Sequence, residues 1–231
     1  LMLVPAQCGG KGLYCLNGPA WSLACEFAAN LLHVLVLWRL SSRWLGAITV
    51  LAGAGLAYAI FLHGHADIGV NIDSALGGYL RCAFAYPLGM LIARQWRARP
   101  RQDFPWWAGL VPPVLVPFAL QQIEAPGALL DALSCLVVLP LCFWIATRSR
   151  PAARIEPVLA WLGKRSYPLY AVNFPVKHLT ICAAVALGQP DGPAVMVAII
   201  LMSLLVTELV LLSARPRAAP APPAKAAAAT A

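Results

Sequence analysis

Residues 194–213 read AVMVAIILMSLLVTELVLLS, twenty residues with a single charge, Glu208. A bilayer core takes about 20 helical residues to cross. The run never alternates apolar with polar as a lipid-facing barrel strand must, so a helix is the structure that satisfies its backbone in hydrocarbon. Six further runs have the same character: 19–38, 44–62, 77–93, 105–121, 128–146 and 166–187. With 61% hydrophobic residues, 11% charged and a mean hydropathy of +0.74, the chain lies far from a soluble domain. The expected fold is all-α, a polytopic bundle of about seven transmembrane helices over residues 1–216. A disordered Pro/Ala-rich tail, 217–231, follows it.

The basic residues give an orientation. Arg39 and Arg43, then Arg94, Arg97, Arg99 and Arg101, then Arg148, Arg150, Arg154, Lys164 and Arg165, and finally Arg215, Arg217 and Lys225 fall on alternate connections and the tail. Only Lys11 lies on the opposite side, while Arg81 and Lys177 sit inside runs. Lys/Arg-rich loops stay cytoplasmic, which puts the N-terminus outside and the C-terminus inside. The net charge of +8 is a topology signal, and a nucleic-acid partner is not needed to explain it. No leader precedes the outside end, so the chain reads as the C-terminal part of a longer protein.

Inside the first run, NGPAWSLACE at 17–26 carries a carboxylate into the bilayer. Pro19 suits the first helical turn, which places Glu26 roughly 10 Å inside the helix. Ser22, Asn30 and His33 lie at i−4, i+4 and i+7 from it, forming one polar stripe on an apolar helix. That stripe must face protein or water. Asn30 and His33 read first as interhelical contacts, with Asn30 also a candidate for substrate binding. An intramembrane carboxylate costs about 2.5 to 3.5 kcal/mol, so Glu26 reads as functional and needs a partner. Arg81, near the outer end of a helix running the same way, is the expected partner, directly or through one water. Lys177 and Glu208 lie at unmatched depths. Cys8 and Cys15 both fall in the outside segment, where a disulfide could persist, and the remaining five cysteines read as buried thiols. His63 and His65 with Asp67 and Asp73 do not form a compact ligand set, so no metal site is assigned.

NGPAWSLACEFAANLL closely resembles the W-S-L-x-x-E segment of the acyltransferase-3 family of integral membrane proteins, which includes O-acetylases of bacterial surface polysaccharides. WLGKRSYPLYAVNFPV at 161–176 is similar to that family's Gly, Ser-Tyr, Leu-Tyr and aromatic-Pro pattern, and RCAFAYPLGMLIAR at 81–94 to its Arg-containing helix. The resemblance implies transfer of an acyl group, often acetyl, from a cytoplasmic acyl-CoA to a hydroxyl of a glycan or lipid-linked sugar. It implies a multi-pass protein of the bacterial inner membrane, with acyl-CoA as a substrate and no bound cofactor. Glu26 and Arg81 carry over as catalytic positions, and Trp21, Ser22, Ser166, Tyr167 and Tyr170 as substrate-binding ones. The family's His base on its first spanning helix has no counterpart in these residues, and Asn173 stands where a His commonly precedes the aromatic-Pro pair.

O-acylation needs a base for the hydroxyl and donors for a developing oxyanion. Glu26 is suited to orient and charge-stabilise a base. Arg81 could hold an anionic donor group, and Arg94 to Arg101 a CoA phosphate, although topology alone accounts for the latter. A sugar or lipid transporter, with Pro175 and Lys177 marking a broken helix, and a folded but inactive remnant are the alternatives.

Overall fold

In the computed structural model of the chain, residues 17–98, 104–120, 122–123, 125–188 and 192–214 are described. Cys8, Cys15 and the Pro/Ala tail lie outside them. The fold is all-helical, 82% helix with no strand among the described residues; an isolated backbone bridge joins Phe104 to Ser149. The helices are α1 (Ala20–Leu35), α2 (Ser42–His63), α3 (Ala75–Ala98), α4 (Val111–Leu120), α5 (Gly127–Leu133), α6 (Leu139–Thr147), α7 (Glu156–Ala186) and α8 (Pro193–Ser213).

Five segments are long and apolar enough to cross a membrane: 42–63, 72–98, 127–147, 156–186 and 193–213. The other two expected spans are shorter helices. α1 has 16 residues, about 24 Å of rise, and then gives way at Val36 (φ −135°) to a 3₁₀ turn over Leu37–Arg39. α4 has only 10 residues. Pro112 and Pro113 cannot donate backbone hydrogen bonds, which is tolerable in a first turn but not further in.

Two boundaries move in the opposite direction. α3 continues through Arg94 and Arg97, and α7 begins at Glu156, so Lys164 and Arg165 are helical. Length explains why: an apolar run shows where lipid is tolerated, whereas a helix continues until a cap or proline stops it. α2 has such a stop. Gly64 takes φ 79° and its N–H bonds back to the Ile60 carbonyl at 2.9 Å, a conformation that glycine adopts without a Cβ penalty.

The segment 127–147 is continuous but not uniform, because Ser134–Val138 forms a π-helical turn between α5 and α6. Pro140 follows one residue later, in the first turn of α6. It has no N–H to give the preceding turn, and a widened turn spares its ring the clash with the carbonyl four residues back.

The chain divides into two compact units, 1–161 and 162–231. The first is centred on α2, where Ala52, Leu56 and Ile60 pack against Ile68, Phe84 and Ala132. Large side chains elsewhere point outward, including Val50, Leu51 and Tyr58, each at least 70% exposed, as a lipid-facing surface requires.

α1 and α3 run parallel with a continuous register. Trp21 lies against Gly78, the Cys82 thiol donates to the Cys25 carbonyl at 3.4 Å, and the Tyr86 hydroxyl donates to the Asn30 side-chain oxygen at 2.9 Å. At the far end Arg94 donates to the Leu40 carbonyl at 2.8 Å and to the Ser42 hydroxyl at 3.3 Å, clamping the turn into α2. α5 and α6 follow α3 in the same direction, from Asp131 beside Ala66 to Trp144, whose indole N–H donates to Gln95 at 3.0 Å.

In the second unit α7 and α8 form an antiparallel pair. The Ser203 hydroxyl donates to the Asn173 side-chain oxygen at 3.2 Å, and Thr207, fully buried, donates to the Ser203 carbonyl at 2.7 Å.

Candidate functional site

The polar stripe of α1 faces α3. Glu26 and His33 project into a cavity of about 780 Å³ whose other walls are α3, the π-turn and α6, and Leu56 of α2. α3 contributes Arg81, Cys82 and Tyr86 and then the small or apolar Gly89, Met90, Ile92 and Ala93; the facing wall is Cys135, Leu139, Pro140 and Phe143. Volume and character match a small-molecule site, mostly apolar with a few convergent polar groups. The polarity is graded. Glu26, Arg81 and the two thiols gather toward one end, and the walls toward Ala93 and Phe143 are hydrocarbon.

Glu26 and Arg81 share this cavity, but among the described residues they form no direct ion pair. The Arg81 guanidinium donates instead to the Ala66 carbonyl and lies over the Trp21 ring, 5.7 Å from its centre. Its Nε is buried without a hydrogen-bond partner among the described residues. The Ala66 N–H donates in turn to the Asp131 carboxylate at 2.6 Å. One loop residue therefore bridges Asp131 and Arg81, each charge engaging a different peptide group of Ala66. In low dielectric a guanidinium needs a nearby anion, and Asp131 is a second carboxylate able to supply that field beside Glu26. Asp131 escaped the sequence reading. Its signal was the carboxylate in GALLDALSC, inside a run otherwise apolar.

Trp21 is held by close approach of backbone. A Cβ at Gly78 would stand 2.9 Å from its ring, and one at Gly69, where φ is +122°, also 2.9 Å. Glycine at both positions lets the α2–α3 loop and α3 close on the indole. The Ser22 hydroxyl donates to the Pro19 carbonyl at 2.9 Å, within the first turn of α1. Asn30 is occupied by Tyr86, and His33 stands edge-on to the same tyrosine ring, 5.8 Å away. The interhelical role read for Asn30 and His33 is thus visible in the packing.

Ser166, Tyr167 and Tyr170 belong to the second unit. The Ser166 hydroxyl donates to the Gly163 carbonyl at 3.0 Å, and Tyr167 and Tyr170 are 56% and 45% exposed. Glu208, which depth estimates left unmatched, is ion-paired with Arg165 through two contacts, Nε to Oε1 and Nη2 to Oε2, the latter at 3.0 Å. Arg165, expected in a connection, lies within α7. The missed signal was depth: both residues lie near the same end of their helices. His63 and His65 have ring centres 6.5 Å apart, and no cluster of three or more metal-ligating side chains occurs among the described residues.

The model of the acyltransferase-3 family, an acyltransferase domain, matches residues 8–211. No curated protein and no solved structure matches the chain.

Proposed function

Since the chain belongs to the acyltransferase-3 family, we propose that it is a multi-pass membrane O-acyltransferase moving an acyl group, acetyl foremost, from a cytoplasmic acyl-CoA to a hydroxyl of a glycan or lipid-linked sugar. The membrane concerned is the bacterial inner membrane, with the N-terminal end of the chain outside. The observation that supports this reading best is the convergence of Glu26 and Arg81 on one cavity between α1, α3 and α6.

Acyl transfer from a thioester forms an O–C bond and breaks a C–S bond; the hydroxyl loses its proton, and the thiolate leaves with CoA. Of this chain's cavity residues, Glu26 is the carboxylate able to accept that proton or to orient the group that does. Arg81, positioned by Ala66 and Trp21, directs positive charge into the cavity where negative charge develops. The apolar walls limit the water that would otherwise hydrolyse the thioester.

The test uses membranes containing the complete protein and acetyl-CoA. Glu26→Gln keeps the shape and removes the charge, and is expected to lower acyl transfer by roughly 100-fold or more while leaving insertion intact. Transfer at the wild-type rate would show Glu26 to be a packing residue only.

A further inference from the structure

His33 has one feature that packing does not explain. Its Nδ1 is buried without a hydrogen-bond partner among the described residues, while the residue itself lines the cavity. The ring is fixed edge-on to Tyr86, and Tyr86 is in turn fixed by Asn30. An orphaned acceptor is tolerated more readily than an orphaned N–H. In the neutral ring the proton therefore belongs on Nε2.

Resting on the acyltransfer reading above, we infer that His33 Nε2–H is a hydrogen-bond donor to the carbonyl oxygen of the acyl group bound in this cavity. Geometry carries the assignment. His33 lies seven residues from Glu26 on the same face of α1, about 10 Å along the axis. That backbone separation is of the order needed for two side chains to hold, with a hydrogen bond of about 3 Å at each end, one carbonyl group and the oxygen attacking it. As the hydroxyl oxygen bonds to the acyl carbon, its proton passes toward Glu26 and negative charge collects on the carbonyl oxygen. His33 stabilises that charge and keeps its own proton. The C–S bond then breaks, and the thiolate departs. Arg81 and Cys82 face the same space from α3 and Cys135 from the π-turn; Arg81 is engaged with Ala66 through one nitrogen and the Cys82 thiol with the Cys25 carbonyl, so His33 adds a donor from α1 to the positive charge that Arg81 supplies from α3.

Amide replacements distinguish the two ring nitrogens, because a Gln amide reaches the position of Nε2 and an Asn amide that of Nδ1. The readout is release of CoA thiol from acetyl-CoA by the complete protein in membranes, with insertion of each variant measured alongside. His33→Gln is expected to stay within about tenfold of wild type, and His33→Asn and His33→Phe to lose roughly 100- to 1,000-fold in kcat. Wild-type rates in His33→Phe, equal rates in the Gln and Asn variants, or equal losses in the Gln and Phe variants would each overturn the donor role while leaving the acyltransfer reading standing. A wild-type protein that releases no thiol from acetyl-CoA would instead overturn that reading, and this inference with it.

Discussion

At the scale of single residues, the site depends on how Arg81 is held. Its guanidinium meets a loop carbonyl and an indole face, and the opposing carboxylate, Asp131, reaches it only through Ala66. Removing that negative charge should release the loop as well as the arginine. Asp131→Asn keeps a hydrogen-bond acceptor for the Ala66 N–H, whereas Asp131→Leu keeps neither acceptor nor charge. We expect the Leu variant to lose about 1 to 3 kcal/mol of stability, the cost of an unsatisfied, part-buried N–H together with the lost charge, and the Asn variant to lose less. Thermal unfolding of the purified protein in detergent checks this, and equal stability of the Leu variant and wild type would remove Asp131 from the account.

Part of this site was legible before any fold was known. Glu26 and Arg81 stood out because each is a charge where lipid offers no partner, and two helices running in the same direction place equal depths side by side. Their manner of meeting was not legible, because Ala66 engages both Arg81 and Asp131 through backbone atoms, and backbone partners leave no trace in residue type. His33 was read as a packing residue, which its contact with Tyr86 supports. Its unpartnered nitrogen depends on atomic placement and could not be read from spacing.

Among elements, apolar runs predicted where helices lie better than where they end. α7 shows the reason: Arg165 interrupts hydropathy but not the helix, because Glu208 on α8 neutralises it. Single and double replacements should reveal this coupling. Arg165→Leu or Glu208→Leu strands one ion and is expected to cost about 1 to 3 kcal/mol each, while the double Leu variant should be more stable than either single one. Denaturation of all four proteins in one detergent gives the coupling directly; additive losses would mean that the pair is incidental. The π-turn at 134–138 was equally hidden, since a run of Leu and Val looks the same in either helical form, and only Pro140 hinted at a local change.

For the molecule as a whole, the distribution of arginines implies an orientation that helix geometry alone does not supply. Cysteine labelling or reporter fusions are expected to place the loop at His65 outside and the segment at Arg97 in the cytoplasm. Both on the same side of the membrane would be incompatible with α3 spanning it. The parallel register of α1 and α3 also has a consequence for how the protein is made. The face of α1 that carries the polar stripe packs on residues 78 to 86, which emerge from the ribosome only after α2 has been completed. Until then Glu26 would lack the α3 face it is packed toward, and α1, at 16 residues, is short for an anchor. α1 is therefore not a helix that can be released into the bilayer ahead of α3: it must wait at the insertion machinery, or lie at the interface, until α3 arrives. Biogenesis of this unit is obliged to proceed by threes, with α1, α2 and α3 entering the lipid together.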